Sequence, residues 1–198
     1  DWSDFYIKML YWEMELEGLE DLAMLEIFQN QMKEANRLFA KFIENNYQEW
    51  IVNESGPLMS HQILKEKLFP FLKKESGKTT LMLVIDNLRF DQWKMIAPII
   101  ENHYQKEEES SYFSILPTAT HFARNAIFSG MMPLEMQINH PELWVNENEE
   151  GGKNLNEAAC LKAQLQRNGI DSQFSYSKIT NLKAGREFIQ SLNNRKKD

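Results

Sequence analysis

The chain has one cysteine, Cys160, among 198 residues, so no disulfide forms within it. With no signal-peptide pattern at its start, this points to a reducing, cytoplasmic setting. No apolar run approaches the roughly 20 residues needed to span a bilayer. A basic face is missing too. Twenty-two Lys and Arg stand against 29 Asp and Glu, for a net charge of -7. That balance argues against holding duplex DNA through a broad positive surface. A phosphodiester pocket stays admissible where metal ions supply positive charge. Repeats and low-complexity tracts are absent. The chain starts at Asp1 without a methionine and reads as a segment of a longer protein. What is present suffices for a core: 42% hydrophobic and 12% aromatic residues. The length suits one domain, or one with a small appendage.

Residues 1–76 read as helix. Phe5, Met9, Trp12 and Leu16 are spaced 4, 3, 4, and Leu25, Phe28, Met32, Ala35, Phe39 and Phe42 are spaced 3, 4, 3, 4, 3. Both are core-facing helical stripes. Trp12 and Trp50 belong to that core. Gly18 separates the first two helices, and Asn53 to Pro57 form the next turn. Ser60 is positioned to cap a third helix through Leu64, Leu68 and Phe71, with Pro70 as a kink or stop. The expectation is a three-helix bundle over 1–76.

From residue 77 to 198 the period changes. Thr80 to Ile85 is a continuous apolar run, as expected for a strand buried on both faces. Helix is expected over 91–104, 120–129, 153–167 and 182–192, and strand over 111–116 and 172–179. This alternation predicts an α/β fold with helices on both faces of a parallel sheet. Cys160, beside Leu161 and Leu165, reads as a small core hydrophobe. His140, before Pro141, reads as structural.

Two junctions carry chemistry. In open parallel sheets, functional residues gather at the carboxyl ends of strands. The first strand ends at Asp86-Asn87-Leu88-Arg89 and the second at Pro117-Thr118-Ala119-Thr120. A helix N-terminus offers unpaired N–H groups and a positive dipole end, which suit phosphate. Thr118 or Thr120 is then either a helix cap or a functional hydroxyl. Asp86 is either a turn carboxylate or a ligand for zinc, manganese or magnesium. A metal beside a threonine hydroxyl would make it a nucleophile. Ser76-Gly77-Lys78-Thr79 lacks the first P-loop glycine and precedes a strand, so it fails as a P-loop.

Leu83-Val84-Ile85-Asp86-Asn87-Leu88-Arg89 resembles the first metal-binding strand of the alkaline phosphatase superfamily. Pro117-Thr118-Ala119-Thr120, followed by Gly130 and Pro133, resembles its nucleophile segment in the nucleotide pyrophosphatase/phosphodiesterase branch, in the register that selects Thr120. Asp86 to Trp93, Pro117 to Gly130 and Leu143-Trp144-Val145-Asn146 resemble the PglZ domain of PorX-type response regulators of Bacteroidetes. Tyr11-Trp12-Glu13-Met14-Glu15-Leu16 resembles the helical linker between their receiver and that domain.

The resemblance implies a partial alkaline-phosphatase-like doubly wound sheet. It implies a phosphodiesterase with two zinc ions, acting on nucleotides or oligonucleotides, in a regulator of type IX secretion. Its receiver would be addressed by a sensor histidine kinase, and the regulator would pair as a homodimer. Asp86 becomes a metal ligand, and Thr120 both metal ligand and nucleophile. The branch's phosphate-contacting asparagine falls on Ala123, so Asn125 or Arg124 is left to contact substrate. Arg89 either orients Asp86 and meets substrate or forms a surface ion pair. After Thr120 the chain offers His121, His140 and Asp171, without the superfamily's Asp-x-x-x-His and Asp-His spacings. The complete protein is then the enzyme and this segment alone is inactive. The alternative is a non-catalytic relay and dimerisation module.

Overall fold

The computed structural model describes residues 1–17, 21–53, 55–74, 79–146, 149–171 and 173–195. Gly18 and the expected domain boundary at residues 76 and 77 lie outside them. Eight α-helices form among the described residues: α1 Trp2–Glu17, α2 Leu22–Asn53, α3 Phe69–Lys74, α4 Phe90–Glu101, α5 Thr120–Ser129, α6 Pro133–Asn139, α7 Glu157–Arg167 and α8 Leu182–Arg195. The chain divides into two compact units, Asp1–Ile63 with Gly77–Ser114, and Leu64–Ser76 with Ile115–Asp198.

In the first unit, side-chain caps start the long helices. The Asp1 carboxylate accepts from the Asp4 N–H at 3.0 Å, and Asp21 accepts from the Met24 N–H at 3.0 Å. α1 packs on α2 through buried Met9, Leu16 and Phe28, flanked by Leu25 and Met32. Farther along α2, its stripe becomes aromatic. Trp2 lies 5.3 Å from Phe39, Phe42 lies 5.4 Å from Trp50, and Trp50 lies 5.6 Å from Phe113. Trp50 therefore joins the core as expected, but Trp12 does not, being 58% exposed. Met9 and Leu16 occupy the centre of a narrow contact stripe, and Trp12 lies on its flank.

The expected third helix is broken. Ser60–Gln62 is a 3-10 turn, Leu64–Leu68 a π-helical turn, and α3 follows at Phe69. Pro70 has no N–H to donate and its ring crowds the carbonyl four residues back, which opens the preceding turn to the wider π spacing. From Leu64 onward this segment belongs to the second unit, and the helix that joins α1 and α2 in the first is α4.

The expected sheet is also absent among the described residues. Their only strand-type pairing is an isolated parallel bridge between Met59 and Phe113, where the Phe113 N–H donates to the Leu58 carbonyl at 2.8 Å. Residues 80–85, 111–116 and 173–179 form no ladder. A parallel strand is held by neighbours on both edges and cover on both faces. The apolar run lacks that cover: Leu81, Leu83, Val84 and Ile85 are exposed, Leu83 at 67%.

The second unit packs α5 against α7 and α6. Its core holds Phe128, Met131, Met136 and Cys160, with Leu143, Trp144, Leu161 and Tyr176 against them. α6 lies outside the expected helices, although Pro133 at its first turn is a usable start signal.

Candidate active site

Asp86 sits in an exposed turn of the first unit, beside Asn87, whose φ of 59° is left-handed. Asparagine tolerates that region better than most residues. Arg89 immediately precedes α4, and its N–H donates to Gln92 Oε1 at 3.1 Å. Its guanidinium grips Asp91 with two hydrogen bonds, 3.0 and 2.5 Å long. That grip holds the Asp91 carboxyl below the ordinary aspartate range. The contact is the surface ion pair that was one of the two readings of Arg89, and exposed pairs contribute little to stability.

Thr120 is the first residue of α5 and is exposed. The cap residue is Ala119, at φ -58° and ψ 141°, and no side chain caps the helix. Neither threonine therefore acts as the cap. The Phe122 and Ala123 N–H groups bond back to the Ala119 carbonyl at 2.9 and 3.0 Å. An uncapped helix start keeps its positive dipole end directed at whatever lies before it.

The other end of α5 is fixed tightly. Gly130 is its left-handed C-cap, at φ 66° and ψ 28°, with its N–H on the Ala126 carbonyl at 2.9 Å. The Gln164 amide, oriented with its NH2 toward α5, donates to the Ile127 and Phe128 carbonyls at 3.2 and 3.0 Å. Arg167 donates to the Ser129 carbonyl.

Asn125 and Arg124 turn into the unit. Asn125 is 3% exposed and donates to the Lys153 carbonyl at 3.1 Å. Arg124 Nε donates to the Glu157 carboxylate, which is 2% exposed. Tyr176 donates to the other oxygen of Glu157, and Lys178 reaches the same oxygen at 3.3 Å. Burial and the Glu157 bond push the Tyr176 hydroxyl up to about 12. Burial, with the Glu157 charge, pushes the Cys160 thiol up to about 11, consistent with the small core hydrophobe expected of it.

The side chains around these residues were not legible in the sequence. Glu157 lies 33 positions from Arg124 and 21 from Lys178, and no local pattern links them. His121 stacks on Trp144, with ring centroids 4.8 Å apart and planes 26° apart. His140 takes the structural role expected: its Nδ1 is 3.3 Å from Glu142, and its Nε2 is 3.4 Å from Arg167.

Asp86 belongs to the first unit and Thr120 to the second. Among the described residues no group of three or more His, Cys, Asp and Glu is placed to hold a metal ion. A two-zinc centre does not fit these residues on their own. The same residues include no helix long and apolar enough to cross a membrane.

The family model of the BREX system PglZ alkaline phosphatase-like domain matches residues 63–196. That of the PorX response regulator linker domain matches residues 1–51. No curated protein matches the chain.

Proposed function

Because the chain belongs to the PglZ alkaline phosphatase-like domain family and carries a PorX response regulator linker domain, we propose that it serves a phosphodiesterase effector in a cytoplasmic response regulator. The substrate is a nucleotide or oligonucleotide phosphodiester, and the output is control of type IX secretion. A sensor histidine kinase addresses the receiver in this reading. In this reading the family's doubly wound sheet is what would cover residues 80–85, whose apolar side chains stand exposed among the described residues.

One observation carries the reading. An exposed threonine begins a helix whose N-terminus has no side-chain cap, inside the family-matched region. Thr120 Oγ1 forms a bond to phosphorus as the P–O bond to one alcohol breaks and that alcohol leaves with the threonine proton; water then cleaves the Oγ1–P bond, returning a proton to Oγ1 and releasing the phosphate monoester. The Thr120 and His121 N–H groups, which precede those bonded to the Ala119 carbonyl, face the phosphoryl oxygens, where preorganised dipoles are most effective. Arg124, Asn125 and Arg89 are the candidate substrate contacts. The first two reach substrate only by loosening the contacts they make to Glu157 and Lys153. Zinc belongs to this reading with Asp86 and Thr120 as two of its ligands. The remaining ligands have to come from outside the described residues.

The test is hydrolysis of bis(p-nitrophenyl) phosphate by the full-length protein. Thr120→Ala is expected to lower turnover about a thousand-fold or more while leaving the circular dichroism spectrum unchanged. A folded variant that retains turnover removes Thr120 as nucleophile.

A second reading, a non-catalytic relay and dimerisation module, is favoured by the apolar surface of α1 and α2. Tyr11, Trp12, Leu22, Ile27 and Val52 are all exposed there.

A further inference from the structure

Asn154 lies on no helix, yet it ties together three parts of the second unit. Its side-chain nitrogen donates to the Thr120 carbonyl at 3.3 Å and to Asn125 Oδ1 at 2.9 Å. Asn125 in turn donates to the carbonyl of Lys153, the residue before Asn154, at 3.1 Å. The Asn154 carbonyl accepts from Lys178 Nζ at 3.1 Å. Lys178 also reaches Glu157, which holds Arg124 one turn beyond Thr120. The first two turns of α5 are thus gripped at Thr120, Arg124 and Asn125 by the segment that leads into α7.

This grip does what a cap does elsewhere. A side-chain cap fixes the first turn by occupying its N–H groups. Here Ala119 provides none, and the first turn is held through a carbonyl, the buried Asn125 side chain and the partly buried Arg124 instead. With Phe122 and Ala123 bonded to the Ala119 carbonyl, the Thr120 and His121 N–H groups remain to meet a phosphoryl group while the helix start stays rigid.

We infer that Asn154 is a positioning residue that fixes the first turn of α5, and with it the direction of the Thr120 hydroxyl. Its catalytic part rests on the phosphodiesterase reading. Small displacements of a reacting group lower rates steeply, because orientation contributes much of the acceleration.

Asn154→Asp tests this, since it preserves shape and removes the donor. Two measurements are made on the full-length protein. In hydrogen–deuterium exchange, amides of residues 121–125 are expected to exchange at least about ten-fold faster, with α7 beyond its first turn unchanged. In turnover of bis(p-nitrophenyl) phosphate, kcat is expected to fall at least about ten-fold with KM within about two-fold. A global loss of structure would change KM and exchange throughout, so the split separates positioning from unfolding. Thr120→Ala, which keeps its backbone carbonyl, leaves the exchange pattern intact. Unchanged exchange at 121–125, or an unchanged kcat in an active protein, overturns the inference. A wild-type protein without turnover refutes the phosphodiesterase reading instead, and the exchange measurement still decides whether Asn154 fixes the turn.

Discussion

Gly130 carries two constraints at one Cα. Its φ of 66° is left-handed, and an added Cβ would overlap the side-chain amide of Gln164. Gln164 is 1% exposed and has little room to swing aside. Gly130→Ala is expected to cost about 1–3 kcal/mol, read as a lower urea midpoint at unchanged slope. An unchanged midpoint would show that the helix end relaxes freely. Glu157 is a second such residue. Removing it leaves Arg124, 16% exposed, without its buried acceptor. Glu157→Ala should therefore destabilise by about 2–4 kcal/mol in the same assay. Coupling to Arg124→Ala in a double-mutant cycle would show that the pair is the cause. Cys160 gives a pH prediction. With its thiol raised to about 11, only about one in a thousand is thiolate at pH 8. Ellman's reagent should leave the native protein unmodified on the timescale that labels the urea-unfolded chain. The unfolded thiol ionises near 9.0, and the native thiol only near 11. The preference for the neutral form is fully present below 9 and is lost as pH rises towards 11. Rapid native labelling at pH 8 would contradict this burial.

At the scale of the element, α5 was the most legible part of the chain. Its observed bounds, Thr120 to Ser129, are those expected, because Pro117 and Gly130 bracket it with local signals. The α2 stripe from Leu25 to Phe42 also keeps its expected face, with each position buried or partly buried. The α1 stripe is only half right. Periodicity marks an apolar face but not how wide a neighbour covers it, so Trp12 stays exposed. The strands were least legible. An apolar run from Thr80 to Ile85 has strand character only with partners beside it, and the described residues supply none. Pro70 was expected to kink or stop the helix, but α3 runs through it to Lys74, and the irregularity lies ahead of it as the π spacing of Leu64–Leu68. α5 also carries a prediction. Ala119→Asp places a cap where none exists, which should stabilise the protein by about 0.5–1 kcal/mol. The same carboxylate would occupy the N–H groups assigned to phosphate, so turnover should fall as thermal stability rises. A rise in both would show that those N–H groups are not used.

At the scale of the whole molecule, charge and apolar surface point to different partners. A net charge of -7 predicts no shift of duplex DNA at physiological salt. The exposed apolar side chains of α1 and α2 predict self-association, visible as a concentration-dependent sedimentation coefficient of the 198-residue chain. A strict monomer at high concentration would weaken the relay reading. The candidate site was legible as two motifs but not as a centre. Asp86 and Thr120 stand out locally, whereas Asn154, Glu157, Tyr176 and Lys178 act through long-range contacts that spacing does not encode. The central claim, that Thr120 is the nucleophile of a phosphodiesterase, is tested most directly by acid-quenching the full-length protein during turnover. Tryptic peptides are then weighed. With bis(p-nitrophenyl) phosphate as substrate, a mass gain of one p-nitrophenylphosphoryl group is expected on the peptide spanning residues 107–124, located at Thr120 and absent from Thr120→Ala. A gain on any other residue, with Thr120→Ala turning over at the wild-type rate, would contradict it.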